Sequence, residues 1–281
     1  MFKTSDSIVT GCTAAILSFN SDATIEAAIH SVQDFDEVII CDGGSTDNTR
    51  SIATNLGCRL LNQPLEFKDS NNRLLDIGGV REHILKEAAN DWVFFLDSDE
   101  LGTENLRLAI YNLISQEEPP GAAAIPRLFV VDGQTIECAM TYPSYQRRLV
   151  RRDAVETYRG SQHDVPVLFA GEEVVNLDEP QLVPMPPLRE LWTRWAAYRR
   201  REELKHLDLS ISEWATRVAR PRMRKVWWLA YRLARCRVRC TGTQLPLRYE
   251  LGRLANDSLY VWYTGRRFLG FRPGAHEDIW R

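Results

Sequence analysis

Apolar residues in the first 120 positions form short runs separated by segments in which apolar positions recur every three or four residues. The runs are TAAILSF (13–19), EVIICD (37–42), CRLLN (58–62) and DWVFFLD (91–97). Their length and content of β-branched and aromatic residues are typical of buried strands, and the spacing between them is typical of helices. The alternation predicts an α/β fold with a mostly parallel, doubly wound sheet.

The pattern changes after residue 120. AAAIPRLFVV and QTIECAM flank an Asp132-Gly133 pair and predict a hairpin, and the Pro-rich segment EPQLVPMPP (179–187) marks a boundary. Beyond it, residues 188–239 have helical spacing with an expected break near Pro221. We therefore predict a first domain over 1–182 and a helical region over 183–281.

Polar residues follow three of the predicted strands. They are Ser18 and Asn20, which flank Phe19, then Asp42, and the acids Asp97, Asp99 and Glu100. The carboxyl ends of parallel strands open on one edge of such a sheet, where ligands bind. Asp97-x-Asp99 suits a divalent cation with substrate phosphates, although that spacing alone also fits a solvated turn. Asp42, followed by two glycines, favours a binding site.

These segments resemble a known family. AAILSFNSDATIEAAIHSV, DEVIICDGGSTDNT and REHILKEAANDWVFFLDSDE are similar to the nucleotide-sugar-binding half of family 2 glycosyltransferases, with Asn90 in place of a usual glycine. IPRLF, YPSYQRRLVRR and QHDV are similar to the branch of lipopolysaccharide-core β-glucosyltransferases. The resemblance spans roughly residues 10–168 and leaves the C-terminal third uncovered.

The resemblance implies a GT-A fold and inverting transfer of a sugar from a nucleoside diphosphate. It implies Mn²⁺ or Mg²⁺ at Asp99, shared with Asp97. The implied donor contacts are Ser18, Phe19, Asn20, Asp42, Arg81, Asp97 and Arg148. For the base it points to Asp164, where the branch has Glu, with His163 as the alternative. Glu100 is a weaker rival for the base.

Charge and tryptophan divide the chain. Residues 1–187 hold 14 Lys+Arg against 29 Asp+Glu, and residues 188–281 hold 21 against 9 with seven of the eight tryptophans. In the segment 222–239, cations and apolar residues fall on opposite sides of a predicted helix. Three interpretations stay open: contact with an anionic membrane surface, packing on the first domain with a solvated basic face, and binding of nucleic acid. The last is least favoured because no nucleic-acid-binding motif is present.

No apolar run approaches the roughly 18–20 residues that span a bilayer, and the N-terminal segment lacks a secretory stretch. We therefore expect a cytoplasmic protein, and from the basic, Trp-rich helical region we expect it to be held peripherally at the inner face of the cytoplasmic membrane. The six cysteines lack metal-binding spacing and are expected to be reduced thiols.

The predicted function is transfer of a sugar, with UDP-hexose the favoured donor, to a glycan or lipid-linked glycan of the cell envelope. Alternatives are a catalytically degenerate nucleotide-sugar-binding protein and a glycosyltransferase with a protein or nucleic-acid acceptor. A nucleotidyltransferase is disfavoured because ILSFNSDAT is not the basic, Gly-rich loop that such enzymes usually carry.

Overall fold

A mixed sheet with the order β10-β5-β7-β4-β1-β2-β3 organises the computed structural model, which describes residues 9–70, 74–159 and 165–271. The strands are β1 (Val9–Ser18), β2 (Phe35–Asp42), β3 (Arg59–Asn62), β4 (Trp92–Asp97), β5 (Ala122–Val131), β6 (Gln134–Ile136), β7 (Tyr145–Arg151), β8 (Val155–Arg159), β9 (Val165–Leu168), β10 (Val174–Asn176) and β11 (Gln181–Pro184). β1 pairs in parallel with β2 and with β4, and β2 pairs in parallel with β3, whereas β7 runs antiparallel to β4 and β5. The predicted α/β architecture with a mostly parallel sheet is confirmed.

The α-helices occupy the segments between these strands and the C-terminal third. They are α1 (Ile25–His30), α2 (Thr49–Asn55), α3 (Ile77–Glu87), α4 (Glu104–Ile114), α5 (Leu188–Lys205), α6 (Ile211–Trp214), α7 (Arg220–Arg239) and α8 (Leu247–Gly265). The described residues form two compact units. The first contains the residues up to Leu128 and Pro143–Pro184, and the second contains Phe129–Tyr142 and the residues from Met185 onward.

Alternating side chains of the central strands build the core of the first unit on both faces of the sheet. Ile16 and Phe94 face one side with residues of α1 and α4, whereas Ala15 and Phe95 face the other with residues of α3. Helices therefore cover both faces, as expected for strands whose residues are apolar in continuous runs. This packing fixes the strand ends on which the polar residues lie.

The second unit contains the predicted hairpin turn and a disulfide. Asp132 and Gly133 both have positive φ (51° and 77°), and Val131 pairs with Gln134, as in a two-residue hairpin. Cys138 and Cys240 are joined, with their Cα atoms 6.1 Å apart. The prediction of six reduced thiols is wrong for this pair, because the fold brings together two positions 102 residues apart. The other four cysteines are free.

Pro221 does not break the helical segment. It lies in the first turn of α7, where a missing N–H is tolerated, and a π-helical stretch (Ala215–Ala219) precedes it. The interruption lies instead between Lys205 and Ile211, where Ser210 and Glu213 form a capping box at the start of α6. Within the described ranges, no helix is both long and apolar enough to cross a membrane.

Candidate functional site

Three neighbouring parallel strands of the first unit end side by side in polar residues. Ser18 at the end of β1 pairs in register with Asp42 at the end of β2, and Leu17 pairs with Asp97 at the end of β4. The sequence prediction that these strand ends share one edge is therefore met by the register. The edge is the place where a doubly wound sheet binds ligands.

Asp42 is fully enclosed and organises the turn that follows β2. Its Oδ2 accepts hydrogen bonds from the backbone N–H groups of Gly44 and Ser45 and from Arg50 Nη1, each at 2.9 Å. Its Oδ1 accepts from Ser45 Oγ at 2.5 Å and from Ser18 Oγ at 3.3 Å. Burial acts to raise the pKa of Asp42, but the hydrogen bonds outweigh it and hold that pKa below its usual value. The carboxylate is thus ionised.

The loop after β1 is fastened to the loop after β2. Asn20, with a positive φ of 49°, accepts from the Thr46 backbone N–H at 2.9 Å and donates its own N–H to Ser45 Oγ at 2.8 Å. Phe19 is 57% exposed beside Gly43, where an added Cβ would lie 3.1 Å from Phe19 Cδ2. The close approach explains the glycine, and the loop presents an aromatic ring to solvent.

A buried arginine binds both carboxylate oxygens of Asp97. Arg148, on β7, donates Nη1 to Oδ1 at 3.0 Å and Nη2 to Oδ2 at 2.5 Å, and Arg81 Nη2 lies 3.8 Å from Oδ1. The Arg81 guanidinium itself lies over the Phe95 ring, 4.6 Å from its centroid. Burial opposes ionisation of Asp97, but Arg148 foremost, then Arg81, lowers its pKa to about 2. Asp97 is therefore a stable anion between two cations.

Glu100 is part of the interior, although it follows Asp99 in an exposed turn. Its side chain is 1% exposed, Oε1 lies 2.9 Å from Arg127 Nη2, and Oε2 accepts from Gln181 at 2.6 Å and Arg148 at 3.3 Å. Burial raises the pKa of Glu100 against the pull of Arg148. The structure does not support Glu100 as the base, because neighbouring side chains enclose both of its oxygens. It holds Arg148 in place instead.

Asp99 is exposed one residue before Glu100. No cluster of three or more His, Cys, Asp or Glu side chains arranged for a metal occurs in the described part of the chain. The donor chemistry of the edge nevertheless fits a hard cation, because Asp97 is ionised and Asp99 is accessible. Two carboxylates with substrate phosphates form an ordinary Mg²⁺ or Mn²⁺ donor set. His163 and Asp164, the predicted bases, lie outside the described residues.

Several residues of this edge were not predicted from the sequence. They are Ser45, Arg50, Lys68, Arg127 and Gln181, and Lys68 Nζ donates to the Gly43 carbonyl at 2.8 Å. The Pro-Arg pair of IPRLF was a signal for Arg127. No local signal marks Gln181, since its contact depends on a strand more than 80 residues from Glu100.

The sequence of this chain matches the model of a known protein family. The model described as "Glycosyl transferase family 2" matches residues 13–169, more than half of the chain. The chain belongs to glycosyl transferase family 2. Its fold is accordingly GT-A, with additional C-terminal helices.

Curated glycosyltransferases match this chain over part of their length. Glycosyltransferase SunS of Bacillus subtilis is 26% identical over 167 residues, 56% of this chain and 35% of that protein. The Escherichia coli glucosyltransferase WfgD is 36% identical over 98 residues, 31% of this chain and 34% of that protein. The chain thus spans about a third of the length of these relatives.

Solved structures are also similar at low identity. Glucosyl-3-phosphoglycerate synthase of Mycobacterium tuberculosis, crystallised with Mn²⁺, UDP and glucosyl-3-phosphoglycerate, is 20% identical with a TM-score of 0.43, covering 65% of this chain and 75% of that one. S. aureus TarS 1-349 is 15% identical with a TM-score of 0.44 and covers 92% of each chain.

Proposed function

We propose that this chain is an inverting glycosyltransferase that moves a sugar from a nucleoside diphosphate to a hydroxyl group, with the chemistry in residues 1–182. The observation that carries the proposal is the convergence of Ser18, Asp42 and Asp97 on adjacent strand ends, within the segment that matches family 2. An ionised aspartate between two arginines at this edge supports a diphosphate site.

The reaction breaks one bond and forms one bond at the anomeric carbon. The bond from that carbon to the diphosphate oxygen breaks, and its electron pair leaves with the nucleoside diphosphate. The acceptor oxygen forms the new bond on the opposite face, and its proton passes to the base. Asp164 is the proposed base and His163 the alternative, both assigned by resemblance alone. A positioned base contributes typically 10²–10⁴-fold.

The described residues suit the donor in complementary ways. The exposed Phe19 ring offers a surface for stacking a nucleobase, and Ser18, Asn20 and Asp42 fix the loop that carries it. Arg81 and Arg148 supply positive charge for the diphosphate. Fixed charges at a leaving group stabilise the transition state because they need no reorganisation as its charge develops.

Asp99, with a share from Asp97, would hold a divalent cation. A bound cation of this kind supplies positive charge to the departing diphosphate. Asp99 offers the more accessible carboxylate, since Arg148 already engages both oxygens of Asp97.

For the substrates we propose a UDP-hexose donor and a lipid-linked glycan acceptor. Two observations support this choice. IPRLF, YPSYQRRLVRR and QHDV resemble the lipopolysaccharide-core branch, and the relative WfgD is described as a UDP-Glc:α-D-GlcNAc-diphosphoundecaprenol β-1,3-glucosyltransferase. A protein or nucleic-acid acceptor has no such support.

A second candidate is a protein that binds the donor without transferring its sugar. The observation that favours it is the bidentate Arg148–Asp97 contact, which already satisfies one of the two carboxylates proposed for the metal. The two candidates differ in turnover rather than in binding, so one set of measurements separates them.

Thermal unfolding with a panel of UDP- and GDP-sugars, with Mn²⁺ or Mg²⁺, tests donor binding. A donor at 100 times its dissociation constant should stabilise the fold by about 2.7 kcal/mol. Release of nucleoside diphosphate then reports turnover. If no donor stabilises the fold, the proposal is overturned. If a donor stabilises the fold but no nucleoside diphosphate is released, either with any acceptor or with water, the protein that binds the donor without transfer is favoured.

Asp99→Asn is the decisive variant, with Asp91→Asn as its matched control. Asp91 is exposed beside the opposite end of β4, so its replacement makes the same chemical change away from the edge. We expect Asp99→Asn to lower nucleotide release at least 100-fold, in the range found when one electrostatic stabiliser is removed. Equal activity of the two variants would show that Asp99 has no part in the reaction.

A further inference from the structure

Helix α7 of the second unit is unusually cationic. Its 20 residues, RPRMRKVWWLAYRLARCRVR, contain seven arginines and one lysine and no acidic residue. Four of these cations point into the second unit and hold the helix there. Arg222 and Lys225 contact Asp257 of α8 at 2.8 and 3.1 Å, Arg232 donates to the Tyr142 carbonyl, and Arg237 donates to Gln244 at 2.8 Å. These contacts account for only half of the charge.

The opposite side of α7 is exposed and carries an apolar stripe. Met223, Trp227, Tyr231 and Val238 are 37%, 73%, 62% and 84% exposed, and Ala234 is exposed among them. Their spacing of three or four residues places all five within about 80° of the helix circumference. The predicted division into an apolar side and a basic side is therefore revised, because the most apolar stripe faces outward and part of the basic stripe faces inward.

Arginines border this stripe along one edge. Arg224, Arg235 and Arg239 are exposed, and the neighbouring Trp228 is 53% exposed with the Arg232 guanidinium 4.7 Å from its ring centroid. We define the outer face of α7 by its exposed members from Met223 onward. They are Met223, Arg224, Trp227, Trp228, Tyr231, Ala234, Arg235, Val238 and Arg239.

We infer that the outer face of α7 binds the surface of an anionic lipid bilayer, with the helix lying in the plane of the headgroups. Tryptophan and tyrosine partition to the headgroup region, where the ring is buried and the polar edge stays hydrated. Arginines at that depth are attracted to anionic headgroups, and α7 has no carboxylate to oppose the attraction. The apolar stripe thus suits the boundary between headgroups and acyl chains, and the basic border suits the anionic headgroups.

Two other occupants fit the outer face less well. A second copy would set the arginines of one α7 beside those of the other, with no acidic partner on either helix. A nucleic acid would engage the arginines and aromatic rings, but Met223, Ala234 and Val238 would gain nothing from phosphates or stacked bases. Lipid is the partner that uses both the stripe and its border.

Co-sedimentation of the full chain with vesicles tests the inference, using neutral phosphatidylcholine and the same lipid with 30% phosphatidylglycerol as probes. We expect binding to the anionic vesicles that weakens as salt rises. Replacing the bordering arginines together (R224Q, R235Q and R239Q) should weaken it roughly 100-fold, at about one kcal/mol for each arginine near the surface. The matched control is R194Q, R217Q and R248Q, which removes the same charge from side chains 57%, 70% and 61% exposed elsewhere in the second unit.

The apolar stripe is tested separately with W227S and V238S combined. This variant should bind roughly tenfold or more weakly, because less apolar area enters the interface. L108S, at a 45% exposed site of α4, is the control. Acyl-chain-brominated lipid should quench the fluorescence of the wild type more than that of W227F. All replaced side chains are exposed, and circular dichroism should be used to check that each variant is folded.

Several results would overturn the inference. The first is absence of binding to anionic vesicles, and the second is an equal loss of binding in the two triple-arginine variants. The third is that the outer face binds a duplex or single-stranded oligonucleotide but no lipid. The fourth is a dimer in solution that the W227S/V238S variant dissociates. The experiment contains no sugar donor and uses no residue of the first unit's edge. Its failure would leave the proposed glycosyl transfer unaffected.

Discussion

Arg148 contacts Asp97 through two parallel hydrogen bonds, at 3.0 and 2.5 Å, and reaches Glu100 with the same guanidinium at 3.3 Å. One side chain therefore links an acid at the mouth of the site to an acid in the interior. A shift of either acid would weaken a contact that positions Arg148. The geometry needs the planar fork of arginine, which an ammonium group does not reproduce.

Arg148→Lys keeps the charge and removes the fork. We expect a loss of about 1.5–3 kcal/mol in the free energy of unfolding, the range for hydrogen bonds to charged groups, together with weaker donor binding. Urea denaturation and calorimetric titration with the donor measure the two effects. Arg147→Lys, at the exposed preceding position, should change neither. If both variants behave alike, the Arg148 contacts do not hold the site together.

The Asp97 carboxylate should make stability depend on pH in acid. Its folded-state pKa is lowered to about 2, below the ordinary value of an aspartic acid, so ionisation of Asp97 favours folding. That contribution is fully present above about pH 4 and is lost as pH falls toward 2. The difference in unfolding free energy between wild type and Asp97→Asn should therefore shrink from pH 5 to pH 2. A difference that stays constant over this interval would contradict the assignment.

Glu100→Gln tests the interior end of the network. The change leaves Arg127 and Arg148 without the buried carboxylate that they share, and breaking a buried pair costs about 3–5 kcal/mol. Chemical denaturation measures the loss, and Glu117→Gln, at an exposed position after α4, should stay within about 0.5 kcal/mol of the wild type. A small effect at Glu100 would mean that the pairs only offset the burial of their own charges.

The disulfide predicts both a thiol count and a stability change. Under denaturing conditions a maleimide should label four cysteines before reduction and six after it. Loss of the bond in Cys138→Ser should lower the stability of the second unit by about 2–5 kcal/mol, because the bond closes a loop of 102 residues. Cys236→Ser, a free cysteine on α7, is the control. Labelling of six cysteines without reductant would contradict the pairing.

The sequence predicted the features that follow from local pattern. Apolar runs located β1, β2, β3 and β4, and the shared polarity of their ends indicated one edge of a parallel sheet. Period and composition are local properties, so a single sequence carries them. The Asp132-Gly133 turn is of the same kind, since positive φ at both residues limits which amino acids fit there.

Contacts between distant segments were not predictable in this way. The local pattern of YPSYQRRLVRR does not distinguish Arg147, Arg148, Arg151 and Arg152, and only the family resemblance singled out Arg148. Of these four, Arg148 is the one that reaches Asp97. Arg147 and Arg152 donate to the carbonyls of Pro166 and Ala88, and Arg151 pairs with Glu172. Glu100 likewise looked like part of an exposed acidic turn, and its burial depends on Arg127 and Gln181 arriving from later strands. Such pairings are set by tertiary packing, which period and spacing do not encode.

The second unit is assembled from two separated segments of the chain. During synthesis, the first segment is therefore complete before the helices on which it packs. Residues 129–142 leave the ribosome more than 100 residues before Glu250, whose carboxylate accepts the Met140 N–H at 2.8 Å. During that interval Ile136 and Met140, which are buried in the finished protein, lack the helices of their own unit. In a partly synthesised chain, the apolar side chains of this hairpin therefore lack the residues on which they later pack. A ribosome stall before α8 would leave them exposed and prone to aggregation.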